Sequence, residues 1–190
     1  MILEQSFVPG IILKNGNKIS HNLAATLIGS SAIALLAQIS IPLSFTPVPI
    51  TGQTFGVALI SLLWGKWRGV AAVTTYLILG FSGVPIFALG KSGWSFGPTS
   101  GYLVGMIAAA FLMGTLSDRG WTKKLWRTWL AAFLGSCVTF SFGVLVLSLY
   151  VPKESLLIAG VIPFVPGDLV KTLMACFIVR QVSQSSEQQQ

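Results

Sequence analysis

Asp168 and Lys171 are an acid and a base three residues apart, inside the last long apolar stretch of the chain. The local order is Pro163-Phe164-Val165-Pro166-Gly167-Asp168-Leu169-Val170-Lys171, with mostly apolar residues down to Val179. An ionisable group inside a bilayer is costly, so it marks a functional site and calls for a partner. A spacing of three places both side chains on one helix face. An acid and a base so placed can hold a small zwitterion-like or bifunctional ligand. Two plainer readings stay open: the pair neutralises itself, or Asp168 marks a helix start, where acids are favoured.

Two other segments carry groups suited to a ligand. Thr46-Pro47-Val48-Pro49-Ile50-Thr51-Gly52-Gln53 is rigid, uncharged and ends in a hydrogen-bonding amide. In Trp94-Ser95-Phe96-Gly97-Pro98-Thr99-Ser100-Gly101-Tyr102, Gly97 permits close backbone approach and Thr99 and Tyr102 offer polar contacts. Trp94 and Phe96 supply an apolar wall. An aromatic lining with few convergent polar groups fits a small amphipathic molecule. Taken singly, such residues also punctuate ordinary membrane hairpins or form an interfacial belt.

These residues must be positioned by membrane helices. Of the 190 residues 53% are hydrophobic and 9% charged, against ~25% charged in soluble domains. The basic residues, net charge +7, are scattered between apolar runs, which fits membrane topology and not nucleic acid. Cys137 and Cys176 lie in apolar runs without a CxxC partner and read as small hydrophobes. The first apolar run is too long for a signal-peptide core, so it counts as a span.

A crossing helix needs ~20 mostly apolar residues. Six spans are expected, near 22–41, 51–64, 69–83, 100–117, 128–150 and 162–182. The second and third are short, and a re-entrant hairpin is the alternative there. With the N-terminus inside, cytoplasmic segments hold Lys14, Lys18, Lys66, Arg68, Arg119, Lys123, Lys124, Arg127 and Arg180, and outer loops only Lys91 and Lys153. This bias favours true crossings and places both termini in the cytoplasm. Trp64, Trp67, Trp121, Trp126 and Trp129 flank the basic loops as interfacial anchors. The expected fold is an all-α membrane protein, a bundle of six transmembrane helices. Residues 1–20 form a polar arm, 21–182 the membrane domain, and 183–190 a disordered polar tail.

At these residues the sequence becomes identifiable. It resembles the biotin-specific substrate-binding (S) components of energy-coupling-factor transporters, the BioY family. The resemblance rests on Ala37-Gln38-Ile39-Ser40-Ile41-Pro42-Leu43, the run from Thr46 to Phe55, and Gly83-Val84-Pro85-Ile86-Phe87. It continues through Gly97-Pro98-Thr99-Ser100-Gly101-Tyr102-Leu103 and Pro166-Gly167-Asp168-Leu169-Val170-Lys171. It covers roughly 22–180 and is specific as a set. Ser100-Gly101 departs from a frequent Gly-Gly, and the loop 88–93, with Lys91, is less glycine-rich than expected.

The resemblance implies biotin as ligand, captured outside a plasma (inner) membrane in a pocket of outer loops and the sixth helix, with no cofactor and no metal. The implied ligand-binding residues are Asp168, Lys171, Gly97, Thr99, Tyr102, Gln53, Trp94 and Phe87. Asp168 would accept the ureido N–H groups and Lys171 would pair with the tail carboxylate. The implied partners are biotin, membrane lipid, and a transmembrane coupling protein with ATPase subunits, although action alone or as a homo-oligomer stays open. Helix one carries Thr26, Gly29, Ser30, Ala34 and Ala37 on one face, with Ser30 and Ala34 as a small-xxx-small step. The family docks its coupling protein through an alanine pair there, which implies Ser30 and Ala34; packing within the chain is the alternative.

An intramembrane enzyme is the rival from another class. It would need paired acids, a nucleophile beside a base, or a metal cluster. His21 is the one histidine, and no HExxH or second intramembrane acid occurs. Gly90-Lys91-Ser92 is not a phosphate-binding loop, because Pro85 stands where its first glycine belongs. A channel or purely structural subunit is the other alternative.

Overall fold

In hydrocarbon every backbone polar group must be satisfied within the protein, and a helix does so within one segment. The computed structural model describes residues 18–93 and 96–187, and these are predominantly helical. The main helices are α1 (Lys18–Gln38), α2 (Gln53–Phe81), α3 (Ser100–Asp118), α4 (Leu125–Leu147), the short α5 (Leu156–Gly160) and α6 (Val165–Glu187). Four segments, in α2, α3, α4 and the stretch holding α6, are long and apolar enough to cross a membrane. Asn22–Gln38 adds a shorter apolar helix.

Helix α2 is not straight. Gly65 breaks it with φ 78° and ψ −174°, a region open essentially to glycine alone. The amide of Gln53 contacts the Tyr76 hydroxyl, although 23 residues of straight helix would separate them by about 35 Å. The two arms, 53–64 and 66–81, therefore fold back on each other. Asp118, at the end of α3, fixes the bend by accepting the Lys66 N–H through Oδ2 at 3.1 Å. The sequence reading of two short segments at this place is thus met by a helical hairpin. The arms measure roughly 18 and 24 Å.

Around this hairpin α1 packs on α2, α2 on α3 and α3 on α4, while α6 closes against both α4 and α2. The core of this bundle includes Ile33, Val57, Leu62, Val73, Tyr76, Met106, Met113 and Val179. A ring of exposed apolar side chains, among them Leu35, Leu145, Val170 and Phe177, covers the outside, as a lipid-facing surface requires.

Three expected features take the following form in the structure. Ser30 is 3% exposed, and Ala34 is half-buried against the core. Beside them a Cβ on Gly29 would meet Trp64, Ala72 and Ile60. Gly29 and Ser30 therefore let α2 approach α1 closely, while Ala34 keeps part of its surface outside this contact. The tail expected to begin at Ser183 continues α6 to Glu187, with the buried Ser183 hydroxyl donating to Val179 O at 2.9 Å. Of the polar arm, Lys18–Ser20 is the first turn of α1; residues 1–17 and 188–190 lie outside the described residues.

The ends of the bundle differ chemically. One gathers the bend at Gly65, Arg68 donating to Asn22 Oδ1 (2.9 Å) and Arg180 donating to Lys123 O (2.7 Å). The other gathers the segments 39–52, 82–93, 96–99 and 148–164, and there the candidate site lies.

Candidate functional site

The loop after α1 is held by a short antiparallel ladder, β1 (Ser40–Ile41) with β2 (Ile50–Thr51), in the register Ser40 to Thr51 and Ile41 to Ile50. Between them the Thr46 hydroxyl donates to Ala159 O (2.6 Å), tying this loop to α5. Prolines 42, 47 and 49 suit such an irregular segment, since none can donate to a ladder. The next loop is clamped by Gln38, whose amide donates to Ile86 O (3.2 Å) and Phe87 O (3.3 Å). Gly93 N donates to Gly80 O (2.8 Å) and Phe87 N to Lys91 O (3.0 Å). Within this loop Leu89 has φ 62°, a left-handed conformation that costs a non-glycine residue roughly 1–2 kcal/mol.

These loops roof a cavity of about 310 Å³ between α2, α3, α4 and α6. That is at the small end of ligand pockets, roughly 300–1,000 Å³. Asp168, Lys171, Gln53, Thr99, Tyr102 and Phe87 all line it, so the structure brings together six of the eight expected ligand residues. Gly97 does not line it: its carbonyl accepts from the Ser100 N–H (3.0 Å) and hydroxyl (2.7 Å) and so starts α3. Trp94 lies outside the described residues.

Asp168 sits in the first turn of α6. Pro166 fits there because a first-turn residue needs no intrahelical N–H bond. Asp168 is 6% exposed and is hydrogen-bonded with the Ser136 side chain of α4, both lining the cavity. Lys171 does not close on it as an ion pair. Its ammonium donates to Thr51 O (3.0 Å) and Thr54 Oγ1 (3.2 Å), linking α6 to the start of α2. The two charges still act on each other through space, and both side chains line the cavity.

The walls are fixed by a second set of bonds. Gln53 bonds Tyr76 through its amide and accepts from the Thr51 hydroxyl (3.0 Å), and the Tyr76 hydroxyl donates to Ile86 O (3.2 Å). Tyr102 donates to Gly160 O (2.8 Å), so it offers the ligand a ring face while its hydroxyl holds α5. That ring occupies the space a Cβ on Gly143 would need. Tyr102→Phe should cost about 1 kcal/mol by leaving the Gly160 carbonyl unpaired, measured as a lower Tm of the detergent-purified protein with the cavity still formed.

The sequence reading assigned nothing to α4, yet Ser136, Thr139 and Phe140 line the cavity from that side, with Met106 and Phe164 beside them. The signal was present: Ser136 and Thr139 are polar, three residues apart and inside an apolar run, so they share a face.

A family model described as the BioY family matches residues 12–188. The chain belongs to the BioY family. Among curated BioY relatives, a biotin transporter of Thermotoga maritima is 40% identical over 153 residues, covering 78% of this chain and 88% of that protein. A biotin transporter of Rhizobium etli is 36% identical over 162 residues, covering 80% and 85%. The fold is similar to a 2.1 Å crystal structure of the S-component for biotin from an ECF-type ABC transporter, with a TM-score of 0.81 and 26% identity. That match covers 90% of this chain and 94% of the other.

Proposed function

We propose that this chain is the biotin-binding membrane subunit of a vitamin uptake transporter, taking biotin from the outer side for ATP-driven import by partner subunits. The observation that carries the reading is a buried carboxylate, Asp168, facing a small cavity with Lys171 one turn away. BioY relatives are named biotin transporters and the similar structure is a transporter S-component, so the chain is a transport subunit and not an enzyme.

The geometry refines how the charges are used. Residues three apart on a helix have Cβ atoms ~5–6 Å apart, so Asp168 and Lys171 address one end of the ligand. The ureido group presents both N–H donors and a carbonyl acceptor within that span. Asp168 accepts from the N–H groups, and Lys171 is placed to donate to the carbonyl. We prefer this to pairing Lys171 with the carboxylate, which the valerate tail holds farther away. Saturable binding of about one biotin per detergent-purified chain is expected from a single cavity; no binding contradicts the reading.

The proposed topology has six crossings of a plasma (inner) membrane and both termini in the cytoplasm. The arms of α2 are short for full crossings, and the basic end supports the orientation through the positive-inside bias. In a background lacking Cys137 and Cys176, Lys153→Cys should react with an impermeant thiol reagent in intact cells and Lys123→Cys should not. The reverse pattern would turn the cavity inward. A coupling protein and ATPases are the proposed partners, a reading supported by the similar structure being the S-component of an ECF-type ABC transporter.

A further inference from the structure

Three charged residues line the cavity: Asp168, Lys171 and Lys91. Their sum is one positive charge, which suits a ligand carrying one negative charge. Asp168 and Lys171 belong to the buried wall on α6, whereas Lys91 is exposed and sits in the roof loop with Ser92 and Gly93. Among the described residues no hydrogen bond or ion pair involves the Lys91 ammonium. Its backbone is nevertheless held in place. Lys91 O accepts from Phe87 N and Lys91 N donates to Ala88 O, and positive φ at Leu89, Gly90 and Gly93 shapes the loop around it. The loop thus presents an unpaired cation on a fixed backbone at the rim.

We infer that Lys91 reads the free carboxylate of the ligand and makes the protein selective for the acid form of biotin over its neutral amides. The inference rests on the biotin reading above and adds a residue at the tail end. With the ureido ring against Asp168 and Lys171, the valerate tail runs toward the roof, where Lys91 is the charged lining residue outside α6. A rim cation also raises the local concentration of an anion and its rate of capture.

The test compares biotin with biotin amide by titration of the purified wild-type protein and of Lys91→Gln and Lys91→Arg. Wild type should bind the acid more tightly than the amide. Lys91→Gln should weaken the acid by about fivefold, the scale of a partly exposed ion pair, and leave the amide unchanged, so that the preference disappears. Lys91→Arg should restore it. The wild-type preference should also shrink as salt rises, since an exposed pair is screened. An acid-to-amide ratio unaltered in Lys91→Gln overturns this assignment and leaves the biotin reading standing. Failure of the wild type to bind either compound overturns the biotin reading and this inference with it.

Discussion

Asp168→Asn should weaken biotin binding by ~2–5 kcal/mol, the cost of removing one partner from a buried charged contact. Asp168 is 6% exposed and faces the cavity, with its neighbour Lys171 engaged by Thr51 and Thr54. The carboxylate, hydrogen-bonded with Ser136 on α4, keeps further lone pairs for ureido N–H groups, and a charged acceptor makes the stronger hydrogen bond. Titration calorimetry against biotin, with Tm as a folding control, reads the effect. If the two residues were only a structural pair, the Asp168→Asn, Lys171→Ala double variant would fold and bind biotin normally.

Gly65→Ala should destabilise the protein by ~3 kcal/mol or more, because φ 78° with ψ −174° is strained for any residue with a side chain. The new Cβ would also collide with Asp118 Oδ1, the carboxylate that holds the Lys66 N–H. Both arms of α2 reach the cavity, Gln53 and Thr54 from one and Phe81 from the other. A disturbed bend therefore reaches the site through the hairpin. The expected result is a lower Tm and a loss of biotin capacity that tracks the folded fraction. Wild-type Tm and capacity would show that the bend is dispensable.

Much of this site was legible because expensive groups are conspicuous in an apolar chain. Asp168 and Lys171 stood out by cost alone, and Gln53, Thr99 and Tyr102 by lying in loops rich in turn residues. What hid was contact across the fold. Nothing local distinguishes Gly97, which starts α3, from a glycine facing a ligand. Ser136 and Thr139 passed as ordinary helix residues until α4 was seen to wall the cavity. The Ser30 and Ala34 step is compatible with docking outside or packing inside, and nothing local in the sequence tells that Ser30 packs inside while Ala34 stays half-buried. Gly65 lies in a Trp64-Gly65-Lys66 step that reads as a loop, but its tight reversal depends on Asp118, far along the sequence. Gln38, an amide near the end of an apolar helix, likewise gains its meaning from the loop carbonyls it clamps.

The most direct measurement is an experimental structure of the purified protein with biotin. The account predicts the bicyclic ring inside the cavity, its N–H groups on the Asp168 carboxylate and its carbonyl beside the Lys171 ammonium, with the tail rising toward Lys91. Biotin bound at the basic end, on the lipid-facing surface, or in the cavity with its carboxylate against Lys171 would contradict it.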